Sequence, residues 1–182
     1  MDAQKKRFSE VLYNPTEEEM YDREPLMAFS FYLSGRNNLL LATLDEIIEN
    51  LDNGFSAEVI NQGGAIQKAS DLMWFWTLGA YEVIRTISQA KDCFSDRFSK
   101  RIIDLKKDLS IARMPSAKME KRGFRQAVNS NRSPDGWNIE GKDLLIGDPD
   151  DFLSARNLLQ KYDEVMSSLK REDVIKCHEE SY

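Results

Sequence analysis

The sequence has very little of the two residue types that most often bind metals or carry out catalysis. Its 182 residues include one histidine, His178, and two cysteines, Cys93 and Cys177. A single histidine excludes histidine-rich metal sites and the paired Glu-x-x-His motifs of di-iron helix bundles. Two cysteines without a C-x-x-C pair form neither a disulfide framework nor a zinc or redox motif. We therefore predict no metal site, no cofactor and no catalytic residue, a composition that favours a non-enzymatic protein.

Long hydrophobic runs are also missing. The longest unbroken apolar run extends from Leu72 to Trp76, whereas a membrane-spanning helix needs about 20 residues. The first eight residues are followed by Ser9 and Glu10 rather than by the apolar run of a secretory signal. Together with the scarcity of cysteine, this predicts a soluble cytoplasmic protein without a membrane partner.

Charge is plentiful but unevenly distributed. The whole chain has a formal net charge of −6, yet residues 97–132 contain eleven basic residues and only three acidic ones. Such a segment can neutralise phosphates, and it can equally be a solvated helix face that pairs with acidic groups. The candidate polyanion-binding residues are Arg101, Lys107, Arg113, Lys118, Lys121, Arg122 and Arg125.

The densest apolar stretch, residues 65–90, contains two of the three tryptophans. Apolar residues recur in steps of three and four at Ile66, Ala69, Met73, Trp76, Ala80, Val83, Ile87 and Ala90. This spacing places them on one face of a helix. A second face carries Leu72, Phe75 and Gly79. Because so apolar a helix has to be covered on several sides, we predict that it is the central helix of a bundle, with its tryptophans in the core.

Three further helices are predicted from the same periodicity. Residues 25–52 form a long helix with the seam Leu33, Asn37, Leu40, Leu44, Ile47 and Leu51. Residues 94–113 form a third helix, which we expect to end at Met114-Pro115. Residues 148–151 are expected to cap a last helix, whose buried stripe includes Phe152, Tyr162 and Leu169.

A small β-hairpin is predicted before the last helix. Two short extended runs flank Gly141-Lys142, which fits a two-residue type II′ turn. A lone hairpin is marginally stable, so Trp137, Ile139, Leu144 and Ile146 are expected to pack on the helices. The predicted fold class is therefore all-α: one domain over residues 1–182, an up-and-down helical bundle of about four to five main helices with this hairpin. Residues 1–13 and 171–182 are expected to be loosely held termini.

Polar residues in the apolar helices are the other candidate site. Asp71, Glu82, Arg85 and Gln89 lie on the one polar stripe of the central helix, and Asn37 interrupts the seam of the long helix. The stripe either faces water or is covered by a neighbouring helix, and covering would make it a buried polar element or the wall of a pocket. If the stripe is covered and forms the wall of a pocket, a helical enzyme is a further alternative.

Arg171 and His178 are separated by six residues, a spacing that resembles the Arg…His motif of HEPN-domain ribonucleases. Proteins of that family are also small helical bundles, and their histidine and arginine act on RNA phosphodiesters. The resemblance covers these two residues and implies RNA cleavage. Here acidic residues surround the pair.

The leading hypothesis is a non-enzymatic interaction or regulatory bundle that binds a protein partner or a second copy of itself as a homodimer. The alternative, not favoured, is a nucleic-acid-binding protein or HEPN-like ribonuclease that uses the basic segment 97–132. The sequence reveals helix faces but not which faces meet, so it identifies neither the partner nor the oligomeric state.

Overall fold

The computed structural model describes residues 24–118, 120, 135–148 and 150–175. This part of the chain has four α-helices, of which the first three follow one another through short connections, and a small sheet precedes the last helix. The helices are α1 (Glu24–Ser56), α2 (Ala65–Gln89), α3 (Asp96–Lys118) and α4 (Ala155–Ser167). The predicted fold class, a helical bundle with a small β element before its last helix, is confirmed.

The two longest helices, α1 and α2, pack against each other over most of their length. The indole N–H of Trp76 donates to the carbonyl of Leu40 at 3.0 Å, and Lys68 forms an ion pair with Glu46 at 2.7 Å. Residue numbers on α2 thus fall as those on α1 rise, so the helices are antiparallel. Their inner stripes form the core with α3 and α4, and Trp76 is 1% exposed.

One polar contact inside this core connects the first and last helices. The phenol O–H of Tyr162 donates to Oδ1 of Asn37 at 2.9 Å, and both residues are fully buried. Trp76 and Tyr162 meet edge to face, with ring centroids 5.2 Å apart. Burial raises the pKa of Tyr162, so the phenol remains a neutral donor. The Asn37 Nδ2 and the Ser34 Oγ are buried without a hydrogen-bond partner in the described part of the chain.

Helix α3 is longer than predicted, because it continues through Pro115 to Lys118. Proline removes one backbone donor, and so close to the end of the helix this leaves a single carbonyl, that of Ile111, without its helical partner. Gly147 of the sheet lies next to that carbonyl with a φ of +103°, a conformation that favours glycine. The expectation that Met114-Pro115 ends the helix was therefore wrong.

The sheet has three antiparallel strands in the order β1 (Asp135–Asn138), β2 (Asp143–Asp148) and β3 (Asp151–Ser154). The pairing of Asn138 with Asp143 leaves a four-residue connection at 139–142, not the two-residue II′ turn that was predicted. Leu144 and Ile146 are buried as expected. Trp137 and Ile139 are 43% and 56% exposed, so their expected packing on the helices is contradicted.

The third strand occupies residues that were predicted to cap and begin the last helix. Asp148 and Asp151 pair with each other at the end of β2 and the start of β3, and Phe152 belongs to the sheet. The hydroxyl of Ser154 is the actual N-cap of α4 and accepts a hydrogen bond from the Asn157 backbone N–H. Asp143 is also buried against this helix end, where its carboxylate accepts from the Arg156 backbone N–H.

After α4, residues 173–175 return to the start of α3. The Ser95 N–H donates to the Asp173 carbonyl at 2.8 Å, the Ile175 N–H donates to the Cys93 carbonyl at 2.9 Å, and Phe94 forms a β-bridge with Val174. These residues fall within the predicted loose terminus 171–182, and their backbone is paired. Residues 1–13 and 176–182 lie outside the described residues.

The Tyr162–Asn37 contact generates a stability prediction. Tyr162→Phe leaves the buried Asn37 carbonyl without its donor, and an unsatisfied buried polar group costs about 1–3 kcal/mol. We expect the free energy of unfolding to fall by this amount, measured as a lower urea midpoint with an unchanged slope. Tyr32→Phe is the control, because Tyr32 is 50% exposed. Equal effects of the two substitutions would contradict the assigned role of the contact.

Candidate functional site

An open groove lies between α1 and α2 on the outer side of this helix pair. Its volume is about 300 Å³. It is lined by Tyr32, Arg36, Leu39, Leu40, Thr43, Phe75, Trp76, Gly79, Glu82 and Val83. Leu40, Trp76 and Val83 are buried and form its base. The groove is thus apolar at the bottom, with charged groups only at its edge.

Large apolar side chains project on both sides of the groove. Phe75 is 63% exposed, Leu39 58% and Tyr32 50%. Trp74, at 40% exposure, packs edge to face against Phe75 with ring centroids 4.7 Å apart. The prediction that α2 is covered on several sides and keeps its tryptophans in the core was therefore wrong for this face, although Trp76 is a core residue. Clustered exposed apolar groups of this kind mark interaction surfaces.

Gly79 is the point of close approach between α1 and α2. A methyl group at this position would lie 3.2 Å from Cδ2 of Leu40, tighter than an ordinary van der Waals contact, so Leu40 packs directly on the glycine. Gly79 also lines the groove, which forms a hollow there, one helical turn from the projecting Phe75. A protrusion and a hollow therefore alternate along α2.

One residue of the predicted polar stripe of α2, Glu82, lines the edge of this groove, and Arg85 pairs with it. Arg85 Nε donates to Glu82 Oε2 at 2.8 Å, and Arg113 of α3 approaches Glu82 Oε1 at 3.9 Å. Arg113 also lies over the ring of Tyr81, 4.7 Å from its centroid. The Glu82 and Arg85 side chains are 46% and 42% exposed, so solvent screens their ion pair.

The other residues of the predicted stripe are not part of one cluster. Asp71 is exposed and accepts a hydrogen bond from Gln67 at 3.0 Å, and Gln89 is exposed at the end of α2. Asn37 points to the opposite side of α1, into the core. The structure thus brings Glu82 and Arg85 together and separates them from Asn37.

Much of the described basic segment contacts this protein's own groups. Arg97 pairs with Asp173, Lys106 donates to the Ser88 hydroxyl at 2.8 Å, and Lys107 pairs with Asp104 at 3.2 Å. Arg101 reaches the Glu164 carbonyl at 3.5 Å. Lys118 is exposed at the end of α3. Three of the candidate polyanion-binding residues lie outside the described residues: Lys121, Arg122 and Arg125.

A second concavity, of about 440 Å³, lies between the sheet, α3 and α4. Its charged groups, Lys161 and Asp108, form an ion pair with each other. Leu145, Phe152 and Leu158 supply its apolar lining. The paired charges leave this concavity with little net electrostatic attraction for a ligand.

Residues 24–118, 120, 135–148 and 150–175 contain neither a cluster of metal-binding side chains nor a helix that could span a membrane. No three His, Cys, Asp or Glu residues there are grouped so that they could hold a metal ion. None of the helices described is long and apolar enough to cross a membrane. Arg171 of the HEPN-like pair belongs to a short 3₁₀ turn, and His178 lies outside the described residues.

Comparisons with protein-family models, with curated proteins and with solved structures found no match to this chain. Its site is therefore interpreted from its own geometry. Tyr32 and Leu39 were not among the predicted site residues, and Phe75 was expected on a covered face of α2 rather than at the surface. Their signal was a second stripe on α1, in which Tyr32, Arg36, Leu39 and Thr43 follow steps of four and three.

Asp173 is a buried carboxylate at the start of α3. Burial raises its pKa, but hydrogen bonds from Arg97, Ser95 and the Lys170 backbone N–H, with the charge of Arg97, outweigh this and hold the pKa below its usual range. A lowered folded-state pKa contributes stability that is present above the unfolded value of about 3.9 and is lost as pH falls through the folded value.

We expect Asp173→Asn to lower the free energy of unfolding by about 1.5–3 kcal/mol near neutral pH, because charge-assisted hydrogen bonds are lost. The difference from the unsubstituted protein should shrink on acidification towards about pH 3. Urea unfolding across this range measures both effects. Asp104→Asn is the matched control, since its carboxylate is 62% exposed. A destabilisation by Asp173→Asn that does not change with pH would show that the charge of Asp173 is not responsible.

Proposed function

We propose that this protein is a helical interaction module whose docking surface is the outer face of α1 and α2 around the groove. The observation that supports this most directly is the exposure of Leu39 and Phe75, 58% and 63%, beside a groove with a buried apolar base. Covering such groups removes apolar area from water, at about 25 cal/mol per Å².

The shape of the groove favours a helical partner. Two antiparallel helices form its walls, and the helices of a partner pack against such a surface with apolar residues at steps of three and four. Phe75 and Leu39 on the walls, and the hollow above Gly79, provide an alternation of protrusion and cavity that such packing needs. Arg36 and Glu82 at the edge fix the orientation of the partner rather than supplying most of the affinity.

The described cations favour this interpretation over nucleic-acid binding. Arg97, Lys106 and Arg113 contact groups of the protein itself, and each contact would have to be exchanged for a phosphate. Nucleic-acid handling predicts binding that weakens steeply with salt and disappears on charge reversal at Arg101, Lys121 and Arg122. It remains the competing hypothesis in the experiment below.

The docking surface can be tested with a photo-crosslinking amino acid, p-benzoylphenylalanine, placed at position 39, 75 or 103. Ile103 of α3 is the matched control, because it is an apolar helix residue with 43% exposure outside the groove. In extract of the native cells, we expect saturable protein adducts at positions 39 and 75 and at least tenfold less at position 103.

Leu39→Glu places a charge on the wall of the groove at an exposed position and should reduce the adducts at position 75 by at least tenfold, while circular dichroism verifies the fold. Equal yields at all three positions, adducts with nucleic acid, or adducts at position 75 insensitive to Leu39→Glu would each overturn the proposed surface.

A further inference from the structure

The outer face of each of the helices α1 and α2 carries one stripe of residues. On α1, steps of four and three connect Tyr32, Arg36, Leu39, Thr43 and Glu46. On α2, the same steps connect Asp71, Phe75, Leu78, Glu82 and Arg85. Positions at these steps lie on one side of a helix. Each helix therefore has an inner stripe in the core and an outer stripe that is apolar in its middle and charged towards its ends.

The contacts between the two helices determine which parts of these stripes lie side by side. Trp76 contacts Leu40, and Lys68 contacts Glu46. Arg36 and Glu82 line the same end of the groove. The apolar residues Leu39, Phe75 and Leu78 thus occupy the middle of the face, with charged residues at both ends.

The two ends of this face have opposite charge. At one end, Arg36, Arg85 and Arg113 outnumber the single carboxylate of Glu82. At the other end, roughly 10 Å from the middle by the helical rise, the carboxylates of Glu46, Glu49 and Asp71 outnumber the ammonium of Lys68. The face is therefore basic at one end, apolar in the middle and acidic at the other end.

We infer that the partner of this face is a second copy of the same chain, related by a two-fold axis that lies in the plane of the face and runs across the helices. This inference rests on the docking surface proposed above. A two-fold interface places the same patch on both subunits. An axis across the helices puts the basic end of each copy on the acidic end of the other, whereas an axis along the helices would put like charges together.

The shape of α2 agrees with the same axis. An axis at the level of Thr77 relates residues at equal distances before and after it, so Phe75 of each copy lies opposite Gly79 of the other. Phe75, the most exposed of the large apolar residues that line the groove, then enters the hollow beside Gly79. Because the relation is reciprocal, both hollows are filled at once.

The corresponding level on α1 is that of Leu41, because Leu40 contacts Trp76 and lies against Gly79. Arg36 of one copy then lies opposite Glu46 of the other. The guanidinium of Arg36 stacks over Tyr32, with 5.4 Å between its carbon and the ring centroid, which leaves its N–H groups able to donate to a carboxylate. This pair selects the crossed arrangement and is formed twice in each dimer.

Sedimentation equilibrium of the purified protein tests the inference. We expect a reversible monomer–dimer equilibrium that weakens with salt. Arg36→Glu should raise the dimer dissociation constant at least tenfold, because it creates two like-charge contacts. The combination of Arg36→Glu with Glu46→Arg is made in a Lys68→Gln background, because Lys68 pairs with Glu46 and would repel an arginine there. It should restore affinity to within about threefold of that background, which corresponds to under about 0.7 kcal/mol. Lys100→Glu, an exposed charge change on α3, is the control and should have no effect.

A cysteine at the axis provides an independent measurement. Leu78 lies next to the level of Thr77, so Leu78→Cys should form a disulfide-linked dimer on mild oxidation. The unsubstituted protein measures how much disulfide-linked dimer forms through the native cysteines. Ile103→Cys measures how much forms by random collision.

A strict monomer up to millimolar concentration, or no rescue by the charge exchange, would overturn the two-fold dimer. Adducts with another protein at positions 39 and 75 would then leave the docking surface valid with a different partner. If those adducts are also missing, the proposed function fails together with the dimer.

Discussion

The indole N–H of Trp76 and the phenol O–H of Tyr162 each need a buried acceptor, and α1 supplies both. Leu40 provides its backbone carbonyl, and Asn37, one turn earlier, provides its side-chain oxygen. A buried polar group without a hydrogen-bond partner lowers the free energy of unfolding by about 1–3 kcal/mol, which is as much as one or more typical hydrogen bonds contribute. The positions of α2 and α4 are therefore defined by the same turn of α1. The rest of the bundle packs around this junction, and the outer face of α1 and α2 remains open as a consequence.

The sequence allowed the inner stripes to be predicted well, because a buried helix face needs apolar residues at every three or four positions. The same rule failed for Phe75, which lies on a second apolar face of α2. The sequence pattern of such a face is the same whether or not a neighbouring helix covers it. Only the three-dimensional packing distinguishes the buried Trp76 from the exposed Phe75. The groove was therefore not predictable from α2 alone, although its polar edge at Glu82 and Arg85 was.

The errors around the sheet and at the end of α3 have a common origin in non-local contacts. Asp148 and Asp151 are residues that commonly cap helices, but here they close a turn between strands. Pro115 usually ends a helix, but the sheet packs against the carbonyl that it leaves unpaired. Local signals of this type specify which conformations are allowed, and tertiary packing selects among them.

The hydrogen bond between Tyr162 and Asn37 joins residues that are 125 positions apart. During synthesis, α1 and α2 emerge long before the last helix. The ring of Trp76 is therefore not yet packed against Tyr162. Contacts of such sequence separation form late and slow the search for the native state. A nascent chain of this protein therefore has a period in which its inner face, rather than its outer groove, is the more strongly hydrophobic surface.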